Sequence, residues 1–144
     1  MSPIKVEERR TPLVPMRRST RVLVAEDDPE MRLLLEDALV RSGYDVVAVG
    51  NLGAARQEML VAAQAGGVEV PAVLVTDRRM PDGDGLDLVA ELRRRCWWLP
   101  AVVVTAFADA EVYRRARSLG SCQVLSKPVD LDLVRVAVRE AMWA

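Results

Sequence analysis

The stretch VLVTDRRMPDGDGLDL (residues 73–88) joins an apolar run to an amphipathic stretch through a short charged segment. Its apolar start is a continuous, mainly β-branched run, as is typical of strands covered on both faces. Asp77 is the first charged residue after that run. Leu86, Val89 and Ala90 then recur at the spacing of one helical face. A buried strand with a charged end, followed by a helix, predicts one unit of a parallel α/β sheet.

The same alternation recurs along the rest of the chain. Further apolar runs lie at residues 22–25, 46–49, 101–104 and 124–125, and the last of these is the weakest. Stretches with helical spacing lie around residues 31–39, 52–62, 112–119 and 131–142. Asp28 and Pro29 predict a helix start, while Gly43 and Gly120 stand where left-handed C-terminal caps belong. Five strand–helix units in about 125 residues predict a doubly wound parallel sheet, (βα)₅, with ligands beyond the carboxyl ends of the strands.

Length and charge bound the domain organisation. The chain has 144 residues and a formal net charge of −1, which suits one globular domain and argues against a basic nucleic-acid binder. Residues 1–19 carry a net charge of +3 and three prolines without an apolar period, so we predict a disordered tail there. Residues 20–144, with a net charge of −4, form the predicted folded domain.

Several classes of protein are excluded by what the sequence lacks. The chain has no histidine, which excludes Ser-His-Asp and Cys-His catalysis, a His-ligated zinc and a phosphohistidine carrier. No apolar run is long enough to span a membrane, and no signal-peptide pattern opens the chain. Cys96 and Cys122 are too few for a disulfide framework, so we expect small buried thiols in a cytoplasmic protein.

Polar side chains follow the predicted strands where each strand ends. They are Glu26 and Asp27 after the first strand, Asp77 after the third, Thr105 after the fourth and Lys127 after the fifth. Because the carboxyl ends of parallel strands share one edge of the sheet, we expect these groups to converge. Carboxylates brought together repel one another unless a cation intervenes, and oxygen ligands of this kind suit Mg²⁺.

Each of these residues also has a simpler interpretation. Glu26 and Asp27 can form a solvated strand end, Asp77 a surface ion pair with a following arginine, and Thr105 the β-branched end of a strand. Asp28 is better explained as a helix N-cap than as a ligand. Lys127 is the only lysine among the 15 basic residues of 20–144, and the others are arginines. A lysine retained at this strand end indicates a need for a compact ammonium group, which supports a functional site there.

Taken together, these residues give a specific pattern over residues 20–144. VLVAEDDPEMR (22–32), VLVTDRRMPDGDGLDL (73–88), VVVTA (102–106) and VLSKP (124–128) occur in order along the chain. The chain thereby resembles the receiver domain of bacterial two-component response regulators. The resemblance implies a flavodoxin-like sheet with strand order 2-1-3-4-5.

The resemblance also implies a role for each residue of the cluster. Asp77 would be the phosphoacceptor, attacking the phosphoryl group of a phosphohistidine. Asp27 would bind Mg²⁺ directly and Glu26 through a water. Asp77 and the backbone carbonyl of Arg79 would complete the protein ligands of the metal.

The remaining positions of the family pattern concern contacts with the phosphoryl group and the conformational change that follows phosphorylation. Thr105 and Lys127 would each contact a phosphoryl oxygen, and the family typically has a cis bond between Lys127 and Pro128. Val124 departs from the family, which usually has an aromatic residue three positions before the lysine. The resemblance also implies that Arg79 and Phe107 border the phosphoryl group, where each would tune its lifetime.

The function that this resemblance implies is signalling rather than enzymatic turnover. We expect a stand-alone receiver, because the chain ends soon after the fifth helix, and a phosphoryl donor that is a sensor histidine kinase or a histidine phosphotransfer protein. The output would be contact with a downstream protein, or a homodimer, through the fourth helix, fifth strand and fifth helix, without direct nucleic-acid or membrane binding. One alternative is the receiver portion of a longer DNA-binding transcription regulator. The other is an Asp-nucleophile phosphohydrolase, which Arg79 disfavours because such enzymes usually have a second aspartate there.

Overall fold

The computed structural model describes residues 20–65 and 70–143. The strands of the described part are β1 (Arg21–Ala25), β2 (Asp45–Val49), β3 (Val73–Asp77), β4 (Arg79–Met80), β5 (Gly83–Asp84), β6 (Ala101–Thr105) and β7 (Cys122–Ser126). The helices are α1 (Pro29–Arg41), α2 (Leu52–Gln64), α3 (Gly85–Arg94), α4 (Ala110–Leu119) and α5 (Leu131–Met142). The tail predicted for residues 1–19 lies outside the described residues.

The five longer strands form one parallel sheet in the order β2-β1-β3-β6-β7. The two short strands β4 and β5 form a separate antiparallel hairpin. Leaving that hairpin aside, the order is the predicted 2-1-3-4-5. The predicted (βα)₅ architecture is therefore confirmed.

Helices cover both faces of the sheet, which explains why the strands are apolar on both sides. On one face, Leu23 of β1 and Leu74 of β3 pack in a core with residues of α2, α3 and α4. On the other, Val24 and Val75 pack in a core with residues of α1 and α5. Alternate residues of one strand thus enter opposite cores, as the strand period requires.

The predicted helix ends of α1 are confirmed. The Asp28 side chain accepts a hydrogen bond from the Glu30 amide, and Pro29 is the first helical residue. Gly43 follows the C-cap Ser42 with φ +96°, in the region that glycine tolerates best. Local sequence thereby determines where the first helix begins and ends.

The cysteines depart in part from the prediction of buried thiols. Cys96 is exposed and Cys122 only half-buried, so the prediction of buried thiols is wrong for Cys96.

Arg93 is 8% exposed, and its guanidinium hydrogen-bonds five backbone carbonyls. These carbonyls lie at residues 97, 99, 119, 120 and 121. One buried side chain thus joins the end of α3 to the turn between α4 and β7.

Among the helices described, none combines the length and the apolar character that crossing a bilayer would require.

Candidate functional site

The carboxyl ends of the central strands bring the predicted polar residues to one edge of the sheet. Asp77 of β3 pairs with Val104 of β6, and Val104 immediately precedes Thr105. The Lys127 amide donates to the Thr105 carbonyl at 2.8 Å, which continues the β6–β7 ladder beyond its last pair. The Glu26 amide likewise donates to the Val49 carbonyl at 3.0 Å. Backbone pairing therefore fixes the level at which each side chain leaves the sheet.

Glu26, Asp27 and Asp77 form a carboxylate cluster at this edge. One oxygen from each side chain lies within 4.8 Å of the others. Glu26 and Asp77 are 2% and 3% exposed, whereas Asp27 is exposed to solvent. The cluster is therefore open on the Asp27 side and closed on the other, so an ion can enter from solvent and reach the buried carboxylates.

The Asp77 side chain is a buried member of the cluster. Both of its carboxylate oxygens are buried, and among the described residues neither accepts a hydrogen bond of regular geometry. Lys127 compensates for part of the charge, since its Nζ lies 3.0 Å from Oδ1 of Asp77. Buried carboxylate oxygens with lone pairs to spare favour binding of a further cationic group.

Glu26 is held in place by one backbone donor and one side-chain donor. Its Oε2 accepts from the Asp28 amide at 3.0 Å, and its carbonyl accepts from Nη1 of Arg32 at 2.9 Å. Burial, with a further contribution from Asp77, raises the pKa of Glu26 from 4.5 to about 8. The Asp28 amide and Lys127 act in the opposite direction. Without a metal, the site therefore retains a proton that a bound cation would displace.

The donor set fits Mg²⁺. All the side-chain donors of the cluster are carboxylate oxygens, and two of the three are buried and close together. Mg²⁺ takes oxygen ligands and usually keeps several waters, which the open side at Asp27 permits. Glu26, Asp27 and Asp77 are thus the side chains that would hold it.

Thr105 ends β6, the strand next to that of Asp77, and its hydroxyl group is hydrogen-bonded to a backbone amide. The residue is 3% exposed, and its Oγ1 accepts a hydrogen bond from the Phe107 amide at 3.2 Å. A hydroxyl that accepts one bond still has its own hydrogen to donate. Phe107 itself is 70% exposed at the start of the following loop. Thr105 can therefore donate to an oxygen bound at Asp77, while Phe107 stands at the solvent side.

Arg79 follows Asp77 by two residues, and Val124 lies in β7 three residues before Lys127. Arg79 is exposed on β4 and lies opposite Asp84 in the backbone register of the β4–β5 hairpin. Val124 is partly buried and pairs with Val103 in the sheet, packing against the core on the α3 side. The bond between Lys127 and Pro128 is cis, as the resemblance implied.

The model of the response regulator receiver domain family matches residues 22–139. The chain belongs to this family. Five helices around the five-stranded sheet give the receiver fold, and the receiver's phosphorylation and Mg²⁺ dependence are general features of the family. A receiver domain of a Francisella response regulator has a TM-score of 0.73 and 24% identity, covering 87% of this chain and 98% of that one.

Longer regulators contain similar receivers. Response regulator protein PilR of Pseudomonas aeruginosa is 34% identical over 122 residues, 85% of this chain and 26% of PilR. The DNA-binding transcriptional regulator NtrC of Escherichia coli is 34% identical over 84% of this chain and 24% of its own length. Transcriptional regulatory protein PdtaR of Mycobacterium tuberculosis is 34% identical over 79% of this chain and 53% of its own. The receiver thus spans between a quarter and a half of these relatives.

Sequence reasoning missed one residue of the receiver with long-range hydrogen bonds, Asp82. Its carboxylate accepts hydrogen bonds from the amides of Leu52 and Gly53, at the start of α2. Pro81, Asp82 and Gly83 form a turn signal that could have predicted the β4–β5 hairpin. No local pattern identifies a partner that lies 30 residues earlier.

Proposed function

We propose that this receiver accepts a phosphoryl group on Asp77 and signals through phosphorylation-dependent protein contacts. The observation that carries the proposal is the position of the Asp77 carboxylate. It is buried, belongs to a cluster of three carboxylates and faces the ammonium group of Lys127. A nucleophile with a cation beside it and a hydroxyl donor, Thr105, on the neighbouring strand suits acyl phosphate formation.

In this reaction an Asp77 oxygen attacks the phosphorus atom of a phosphohistidine on a partner kinase or phosphotransfer protein. A P–O bond forms as the P–N bond breaks, and the imidazole leaves. Mg²⁺, when bound by Glu26, Asp27, Asp77 and the Arg79 carbonyl, supplies neutralisation of phosphoryl charge. Lys127 and Thr105 contact the phosphoryl oxygens from the other side. The chain catalyses only its own phosphorylation and dephosphorylation, and turns over no other substrate.

The output follows from the change in charge. A phosphoryl group adds about −2 in charge with strong acceptor oxygens. If Thr105 donates to one of them, the loop that contains Phe107 moves and the face formed by α4, β7 and α5 repacks. We place the downstream protein contact, or a homodimer, on this face, with the kinase and receiver meeting in the cytoplasm and no direct contact with nucleic acid or membrane.

A second candidate is favoured by the relatives. PilR and NtrC are about four times as long as the matched region, and NtrC is named a DNA-binding transcriptional regulator. The receiver would then control an attached DNA-binding segment instead of a separate protein. Reading the gene downstream of Ala144 distinguishes the two, because a stop codon there supports a stand-alone regulator and an open frame supports the longer one.

The experiment that tests the proposal is phosphorylation by acetyl phosphate with and without Mg²⁺, read as intact mass. We expect one phosphoryl group on the parent chain with Mg²⁺ and none on Asp77→Asn. Asp28→Asn is the matched control, because asparagine preserves the N-cap and Asp28 is outside the carboxylate cluster. Undiminished labelling of Asp77→Asn would show that another residue is the acceptor.

A further inference from the structure

Asp82 joins the loop after the phosphoacceptor to a distant helix. It occupies the turn between β4 and β5, and its Oδ1 accepts from the Leu52 amide at 3.0 Å. Its Oδ2 accepts from the Gly53 amide at 2.9 Å. Both oxygens of one side chain therefore bind the first two amides of α2.

The carboxylate of Asp82 supplies negative charge at the start of α2, which has no acidic residue in its own first turn. The N-cap Asn51 accepts from the Ala54 amide at 2.7 Å, and Asp82 takes the two amides before it. Amides at a helix start have no partners within the helix and carry partial positive charge, which favours an anion. These two hydrogen bonds lower the pKa of Asp82, as expected for a carboxylate that binds in its ionised form.

Asp82 itself is exposed, and residues on either side of it bring the hairpin close to α2. Met80 of β4 and Leu52 of α2 are both buried in the same core. A Cβ atom added to Gly83 would lie 3.2 Å from Cδ1 of Leu52, and Gly83 has φ +148°. The hairpin thus approaches α2 closely enough that a side chain at position 83 would crowd the contact.

We propose that Asp82 is a positioning residue for the divalent cation site, and this rests on the proposed function of Asp77. The hairpin contains Arg79, whose carbonyl is assigned to the metal, and Asp77 lies two residues before Arg79. The Arg78 amide donates to the Val104 carbonyl at 2.8 Å, which fixes the base of the hairpin to β6. Asp82 fixes its tip to α2. With both ends fixed, the carbonyl of Arg79 stays at one place relative to the carboxylates.

Loss of the tip contact would let the hairpin adopt arrangements that do not suit the metal. The apparent dissociation constant then rises by the inverse of the fraction of molecules in the competent arrangement. We expect Asp82→Ala to raise the Kd for Mg²⁺ by about 3- to 10-fold, at or below the effect of removing a group that directly orients a metal ligand. Asp82→Asn keeps one acceptor oxygen, so its Kd is expected between those of the parent and Asp82→Ala.

The test is calorimetric titration of Mg²⁺ into the unphosphorylated full chain. Asn51→Ala is the matched control, because it removes a capping bond from the same helix end without touching the hairpin. We expect Asn51→Ala to lower thermal stability as Asp82→Ala does, yet to leave the Kd within about 2-fold of the parent value. Hydrogen exchange at the Leu52 and Gly53 amides should accelerate in Asp82→Ala, which verifies that the contact was lost.

Equal Kd values for the parent, Asp82→Ala and Asn51→Ala would overturn the positioning role, as would absence of Mg²⁺ binding to the parent chain. A comparable rise in Kd in Asn51→Ala would also overturn it, because the effect would then come from the helix end. The proposed function is judged separately. A parent chain that binds Mg²⁺ but takes no phosphoryl group at Asp77 would reject that function, while the ratio of Kd values would still decide the role of Asp82.

Discussion

The Nζ atom of Lys127 lies 3.0 Å from Oδ1 of Asp77, across the edge where β3 and β7 end. Burial alone would lower the pKa of Lys127, but the nearby carboxylates of Asp77, Glu26 and Asp27 more than offset it and raise that pKa. The ammonium group therefore stays charged. It lies beside the Asp77 carboxylate, to which a metal would also bind.

Replacing Lys127 with methionine removes this charge while preserving most of the side-chain length. We expect the metal-free protein to lose roughly 1–2 kcal/mol of stability, a discounted figure because the Lys127 side chain is 38% exposed. Mg²⁺ should stabilise Lys127→Met more than the parent, since it no longer competes with the lysine. Thermal unfolding with EDTA and with Mg²⁺ measures both effects, and Lys127→Arg, which keeps the charge, is the control. Identical melting of Lys127→Met and the parent under both conditions would contradict the account.

The raised pKa of Glu26 predicts how stability depends on pH. The pKa of Glu26 is about 8 in the folded protein, whereas the usual pKa of this carboxyl group is 4.5. Between these values the folded state binds more protons than the unfolded state, so the free energy of unfolding contributed by Glu26 falls as pH rises. Below this window both states are protonated and above it both are ionised, so the contribution no longer changes.

Glu26→Gln removes this titration. We expect chemical denaturation in EDTA to show a shallower decline of stability between about pH 5 and pH 8 for Glu26→Gln than for the parent. Mg²⁺ should bind the parent more tightly as pH rises through the same range, because the metal requires the ionised carboxylate. Parallel stability curves for the two proteins would mean that Glu26 is not the group responsible.

Arg79 and Phe107 are expected to set the lifetime of the phosphoryl group. Arg79 would offer a forked donor to it, and Phe107, whose side chain is 70% exposed, would cover the approach of an attacking water. Arg79→Ala and Phe107→Ala should each hydrolyse several-fold faster at saturating Mg²⁺, measured as decay of the phosphorylated mass. Trp98→Ala is the control, since Trp98 is another exposed aromatic but precedes the opposite end of β6. Decay at the parent rate in both variants would leave these residues without a role in lifetime.

Gly85 allows the backbone of Asp77 to lie against the start of α3. A Cβ atom at position 85 would stand 2.2 Å from the Asp77 carbonyl oxygen, which is backbone and cannot rotate away. We expect Gly85→Ala to cost about 1–3 kcal/mol or more in denaturant unfolding. At Gly53 the nearest contacts of an added Cβ are 3.4 and 3.5 Å, so Gly53→Ala should be near neutral or slightly stabilising. Equal stability of the two variants would show that the contact at Gly85 relaxes freely.

Local sequence predicted the strands of the parallel sheet, the helices between them and the polar residues at the strand ends. Continuous apolar runs predicted the strands because strands covered on both faces need apolar side chains on both sides. Asp28, Pro29 and Gly43 predicted the ends of α1 because capping is settled by neighbouring residues. The convergence of Glu26, Asp77 and Lys127 followed from the geometry of parallel strands, whose carboxyl ends share one edge.

Tertiary structure alone decided which distant backbone groups the remaining polar side chains bind. Asp82 finds amides 30 and 29 residues earlier, and Arg93 finds carbonyls up to 28 residues later. Backbone amides and carbonyls are the same chemical groups at nearly every position, so the sequence contains no signal that marks them as partners. Only the docking of the hairpin on α2, and of α3 on the turn after α4, brings those groups within hydrogen-bond distance.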